Sequence, residues 1–218
     1  ALPYTIRFEN PPSATTRAAE VRIVHVLDES LNPRSFRLGD IRVGDISVRI
    51  PEGRASFQGD FDFTKSKGFV LRVSAGIDTT TRTASWVLQA IAAETGEVLQ
   101  DTTRGLLAPN NAQGAGAGFV SFSVQAAFGA QSGDEITASA RVLLDTQAAF
   151  DTAVIRHTLD ASAPVTTVSV TQVTTSDYDV RWSPADEAGG SGVKHTTVYV
   201  SENGGDWQIW LRQTTDTQ

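Results

Sequence analysis

Apolar and polar residues alternate with a period of two through most of this chain. A segment patterned in this way can cover its apolar side chains only as a strand whose one face is buried. Tyr4-Thr5-Ile6-Arg7-Phe8-Glu9 shows the pattern first, and Glu20 to Leu27 repeats it, with Val21, Ile23, Val26 and Leu27 set against Arg22 and His25. Ile41, Val43, Ile46, Val48 and Ile50 follow, interrupted by Gly44-Asp45, and Phe57, Phe61 and Phe63 alternate around Asp60 and Asp62. Phe69, Leu71 and Val73 predict another strand, with Trp86, Leu88, Ala90 and Ala92 as its partner and residues 78–83 as a polar hairpin turn. Trp86 to Ala93 is too short for a helix, has no cap, and runs into Thr95-Gly96. Phe119 to Val124 and Ile136 to Leu144 return to alternation after the Gly/Asn/Ala-rich stretch 109–118, which has no apolar period and reads as a surface loop.

Short strands separated by turns, with no long helical crossovers between them, predict an all-β fold of the β-sandwich type. At 218 residues the chain is long enough for one large domain or two ordinary ones. Asp160-Ala161-Ser162-Ala163-Pro164 reads as a linker, because the proline cannot donate to a ladder and stiffens the exit. Residues 1–160 are therefore expected to form one β-sandwich domain, and residues 161–218 to belong to a second module.

Composition narrows the setting. The net charge of −7 argues against a nucleic-acid partner, since a phosphate backbone calls for clustered Lys and Arg and the basic residues here are interspersed with acids. No apolar run approaches membrane-spanning length, so no membrane insertion is expected. Cysteine is absent, which removes disulfides, thiolate metal sites and a cysteine nucleophile. Methionine is absent too, position 1 included, and the chain is expected to be a processed or excised piece. Cysteine-free, Thr- and Ser-rich β-proteins with Arg far in excess of Lys fit an exported bacterial protein, placed outside the cell or on its surface.

From Ala163 onward the sequence resembles the bacterial fibronectin type III/Ig-like modules of large secreted proteins. Ala163-Pro164 opens the module, and Val180-Arg181-Trp182 resembles the strand that carries the core tryptophan. Asp186 with Gly189-Gly190-Ser191-Gly192-Val193 is similar to the following connection, and Val198-Tyr199-Val200-Ser201 with Asn203-Gly204-Gly205 to the next strand and its hairpin turn. Asn-Gly between two β runs independently predicts a type I′ turn. Such a module takes about 90–100 residues, so the resemblance implies an incomplete fibronectin type III/Ig-like sandwich with an unpaired sheet edge, packed against the first domain or a neighbouring molecule. Phe8-Glu9-Asn10, Val26-Leu27-Asp28 and Leu38-Gly39-Asp40 resemble the repeat domains found beside such modules in giant bacterial surface proteins. That resemblance implies location and architecture, not an activity.

Chemistry-bearing motifs are sparse. His25, His157 and His195 stand alone, without metal-ligand spacing. No G-x-S-x-G elbow is present, Gly190-Ser191-Gly192 falls in a turn, and residues 114–118 lack both a G-x-G-x-x-G and a P-loop lysine. Asp60 and Asp62 share a strand face at roughly 6.5–7 Å, a spacing of interest for glycoside hydrolysis, yet the flanking phenylalanines turn them to solvent. Only Lys65, Lys67 and Lys194 could feed a Lys–Asn isopeptide, and the first two lie in the polar turn 64–68.

Calcium is the cofactor the sequence motivates best, because acidic loops of secreted β-modules supply the hard oxygens it takes. The acids singled out are Asp40 and Asp45 around a glycine turn, and Asp151 and Asp160 flanking the module junction. Trp207, Trp210 and Tyr199 form the aromatic group most suited to a ligand or partner, with one of the two tryptophans expected in the core and the other free to stack on a sugar. The expectation is a non-catalytic adhesion or spacer module, not an enzyme, whose partners are other modules of the same protein, a glycan or another surface protein. The alternative is a carbohydrate-binding accessory module of a secreted hydrolase.

Overall fold

The computed structural model describes residues 1–145 and 147–218 and shows an all-β protein built of antiparallel sheets. No helix among the described residues is long and apolar enough to cross a membrane. The chain divides into two units, one built from Ala1–Gly129 and Ile136–His157, the other from Ala130–Glu135 and Thr158–Gln218. The break falls at 157/158 where the linker reading put it at 160/161, and the segment 130–135 belongs to the second unit.

The strands of the first unit are β1 (Leu2–Glu9), β2 (Glu20–Val26), β3 (Leu31–Val43), β4 (Ile46–Val48) and β5 (Ser56–Phe63). After the single helical turn α1 (Thr64–Lys67) come β6 (Phe69–Asp78), β7 (Thr83–Ile91), β8 (Ala117–Ala126), β9 (Glu135–Ala138), β10 (Ala140–Leu144), β11 (Phe150–Asp151) and β12 (Ile155–Thr158). They form a four-stranded sheet in the order β1-β8-β3-β4, a six-stranded sheet in the order β11-β10-β2-β7-β6-β5, and the ribbon β9–β12.

The alternation in the sequence is the alternation of burial. Val21, Ile23 and His25 of β2 face inward while Arg22, Val24 and Val26 face out, and on β7 Ala84, Trp86, Leu88 and Ala90 point into the core. Trp86 to Ala90 is strand, paired with β6 through Ala75↔Trp86, Val73↔Leu88 and Leu71↔Ala90. The turn between them is held by Asp78, whose carboxylate accepts the N–H groups of Thr80 and Thr81 at 2.8 and 3.3 Å. Where the sequence reads as a polar turn at 64–68, the chain makes one helical turn, closed by Gly68 at φ 77°.

Phe122 of β8 is the hub at which the two sheets meet. Its ring lies 5.1 Å from Tyr4 and 5.2 Å from Phe36 in its own sheet, and 5.2 Å from His25 and 5.8 Å from Trp86 across the sandwich. Aromatic rings at such separations gain beyond the area they bury. Side chains from two sheets interdigitating in this way define a β-sandwich core.

The second unit consists of two hairpins, β13 (Val165–Gln172) with β14 (Tyr178–Ala185) and β15 (Thr196–Val200) with β16 (Gln208–Thr214). Asn203 and Gly204, at φ 51° and 73°, both take the positive values that the Asn-Gly turn requires. Trp182 of β14 is buried at 4% exposure; its ring lies edge-on to Trp210 at 6.3 Å, and its backbone N–H donates to the Thr217 carbonyl at 3.0 Å. Every residue of β13 is exposed.

Candidate functional site

The acidic residues that converge are Asp160, Asp186 and Glu187, whose ligand oxygens lie within 4.8 Å of one another inside the second unit. The local chain path explains how they meet. Gly133 donates to the Leu159 carbonyl at 2.9 Å and Leu159 to the Asp134 carbonyl at 2.8 Å, which fixes the residue before Asp160 beside the 131–134 turn. Strand β14 ends at Ala185, so Asp186 and Glu187 stand at the head of the loop that follows, where Gly190 closes a turn onto the Glu187 carbonyl at 3.1 Å.

Short hydroxyl and amide donors hold each carboxylate. Asp160 Oδ2 accepts the Ser191 hydroxyl at 2.5 Å and the Ser191 N–H at 3.2 Å. Asp186 Oδ2 accepts the Gly192 N–H at 2.6 Å. Glu187 Oε1 accepts the Ser132 hydroxyl and the Ser162 N–H, the latter at 3.2 Å, while Ser132 Oγ takes the Ala161 N–H at 2.7 Å. Glu187 Oε2 is shielded from solvent and has no hydrogen-bond partner. The Ser132 hydroxyl above all, and then the neighbouring Asp186, holds the Glu187 carboxyl down at about 2. The Asp186 carboxyl is pushed up, first by Glu187 beside it. Two carboxylates crowded together in this way favour either a proton on Asp186 or a cation between them. Three carboxylates in reach could hold a hard divalent ion, whose remaining positions carbonyls and water would fill.

Of the acids that the sequence marks as calcium ligands, the structure brings only Asp160 into this cluster. Asp45 is taken by Lys67 Nζ at 2.7 Å, which holds its carboxyl below the usual range, and Asp151 is paired through both oxygens with Arg141 at 2.8 Å. Asp40 contributes its backbone carbonyl to the Ser121 hydroxyl at 2.9 Å and joins no acidic cluster among the described residues. The sequence alone does not mark Asp186 and Glu187 as members of an acidic cluster, because Asp186 reads as part of a connection between strands. The signal was present in the run of Gly and Ser that follows, which supplies N–H and hydroxyl donors to carboxylates.

Trp207, Tyr199 and Trp210 are 73%, 53% and 51% exposed, so neither tryptophan is the core residue that strand alternation had suggested. Trp182 takes that place, and Trp210 rests edge-on against it. Tyr199 lies opposite Ile209 on the paired strand. Asp60 forms a two-point ion pair with Arg72 at 3.0 Å, and Asp62 accepts the Thr64 N–H and hydroxyl at 2.8 and 2.6 Å, so both carboxylates have structural partners.

No protein-family model matches the chain, and no curated protein matches it significantly.

Proposed function

We propose that the chain is a non-catalytic adhesion or spacer piece of a large exported bacterial protein, working outside the cell or on its surface, with calcium bound at Asp160, Asp186 and Glu187. The observation that carries this reading is the convergence of those three carboxylates, each already oriented by Ser or Gly donors, in a unit with very little core. A loop-rich unit of this kind gains rigidity from an ion that binds only the folded state, because the binding free energy adds to folding. Its resemblance to fibronectin type III/Ig-like modules points to neighbouring modules of the same protein as partners.

Thermal melting in EDTA and then in excess calcium tests the reading. A calcium-dependent rise that disappears in Asp186→Asn and in Glu187→Gln is expected. An identical melt with and without calcium removes the ion from the account.

A second reading, a carbohydrate-binding accessory module, is favoured by the exposed rings of Tyr199 and Trp207, which offer flat apolar faces to a sugar.

A further inference from the structure

On the outer face of the four-stranded sheet, register places Phe119 of β8 directly between Arg7 of β1 and Arg42 of β3. Side chains opposite one another on adjacent strands share a face, so two guanidiniums on strands about 9.5 Å apart flank one aromatic side chain. The three residues line an open groove of about 540 Å³, whose wall also includes Glu9, Gln113 and the 41%-exposed ring of Phe150. That volume lies within the range of about 300–1,000 Å³ usual for small-ligand sites.

Several arginines of the first unit have no carboxylate partner among the described residues, and two of them meet at this groove. Arg22, Lys67, Arg72, Arg104 and Arg141 each face a carboxylate within 3.0 Å. Arg7 and Arg42 have no carboxylate partner among the described residues; Arg42 Nε donates only to the Gly44 carbonyl at 3.0 Å. Glu9, the one acid in the groove wall, is engaged by Asn110 Nδ2 at 2.5 Å. Two guanidiniums against the single Glu9 carboxylate leave the groove net positive in a chain of net charge −7.

We infer that this groove binds a carboxylate-bearing saccharide, a short stretch of an acidic glycan. One sugar ring lies on Phe119, and the carboxylates of its neighbours meet Arg7 and Arg42. Arginine matches a carboxylate through two parallel N–H donors, which fixes orientation as well as charge, while the aromatic ring accepts the apolar face of the sugar between them. The sequence carries too few basic residues, too widely spread, for the same face to serve a nucleic-acid backbone. The inference rests on the adhesive reading above for its class of partner, and it uses a different unit from the calcium cluster and the Trp207 hairpin.

The test is titration of the full chain with a linear trimer of galacturonic acid and with the neutral galactose trimer, followed by amide chemical shifts. The uronate trimer should shift the amides of Arg7, Phe119 and Arg42, bind more weakly as salt is raised, and lose about tenfold or more in affinity in Arg7→Gln and in Arg42→Gln. The Arg7 side chain makes no hydrogen bond or ion pair among the described residues, so Arg7→Gln, which keeps the backbone ladder, should leave the melting temperature unchanged. Equal binding of the two trimers, or unchanged affinity in both arginine variants, overturns the site. Binding that survives both arginine changes but is lost in Trp207→Ala also overturns it, and leaves sugar binding by the second unit standing. No binding of either trimer by any form overturns both.

Discussion

Asp28 accepts two hydrogen bonds from Thr137, 109 residues further along the chain: its Oδ2 takes the Thr137 N–H at 2.9 Å and the Thr137 hydroxyl at 3.0 Å. Its other oxygen takes the Ser30 N–H at 3.0 Å. One carboxylate just past β2 therefore ties the start of β3 to β9. Burial pushes this carboxyl up, but the donations from Thr137 and Ser30 outweigh burial and hold it below its ordinary value.

Asp28→Ala strands those donors, and a charge-assisted pair of this kind is worth about 1.5–3 kcal/mol. Urea unfolding should show a loss of about 2–3 kcal/mol with an unchanged m-value. Thr137→Val, which keeps the backbone bond, should lose about 1 kcal/mol. The lowered carboxyl binds its proton more readily in the unfolded chain. Its contribution is thus complete above the ordinary 3.8 and is lost as pH falls from there through the folded value. Asp28→Asn should flatten that part of the acid limb.

His25 predicts a second pH dependence, at higher pH. Its ring is 3% exposed, its Nδ1–H donates to the Ser139 carbonyl at 2.7 Å, and its Nε2 has no partner. Burial lowers its pKa, against a smaller opposing pull from the Ser139 carbonyl. A second proton would have to sit on Nε2 in a core of aromatic rings, so the unfolded chain takes up that proton first. Stability should be full above the ordinary 6.5 and decline as pH falls below it, by up to about 1.4 kcal/mol per pH unit until the folded value is passed. Melting temperatures from pH 8 to pH 5 should show this slope in the native chain and lose it in His25→Leu. An unchanged slope in that variant would assign the effect to other groups.

Much of the first unit was legible because its determinants are local. Period-two runs from Tyr4 to Leu144 become strands wherever one face is covered, and the turn at 78–83, like the Asn203-Gly204 turn of the second unit, follows from the conformations those residues tolerate. His25 shows the limit of that reading. It occupies the inward row with Val21 and Ile23, yet residue type alone assigned it to the polar face. The candidate site was less legible for the same reason. Asp160 is separated from the adjacent pair Asp186-Glu187 by a whole hairpin, and only the return path of the chain brings them together. Local spacing favoured Asp45 and Asp151, whose partners Lys67 and Arg141 come from neighbouring elements that no local pattern reveals.

The glycine-rich stretch 109–118 reads as a surface loop, but part of it is packed backbone on backbone. A Cβ on Gly116 would overlap the Ala108 carbonyl and lie 2.6 Å from Asn110 N. Its own N–H donates to Asn110 Oδ1 at 3.0 Å, and its carbonyl accepts the N–H of the fully buried Asn10 at 2.9 Å. Neither neighbour is a flexible side chain that could move aside. Gly116→Ala should therefore cost at least about 2 kcal/mol. Gly114→Ala, at φ 78° with open space around it, should cost only about 1 kcal/mol for the backbone strain. Equal costs at the two positions would remove close packing as the reason for the second glycine.

The two units should differ most in how often they open. In the second unit, Leu159 and Trp182 are the only buried hydrophobic residues among those described, while Val165, Val168, Val170 and Trp207 are each at least 60% exposed. Isolated two-stranded hairpins are marginal in water, and a unit of this size has little apolar area to set against chain entropy. Its ladder hydrogen bonds are open to solvent, whereas those of β2 and β7 lie over Val21, Ile23, Trp86 and Leu88, all fully buried. Native-state hydrogen exchange should find the amides of β13 to β16 exchanging through small local openings and those of β2 and β7 only near the global limit. Trp182→Ala should abolish protection in the second unit and leave the first unit's protection unchanged. Equal protection in both units of the native chain would mean that the exposed valines and Trp207 are covered in solution, and the second unit would then have to be treated as half of an interface.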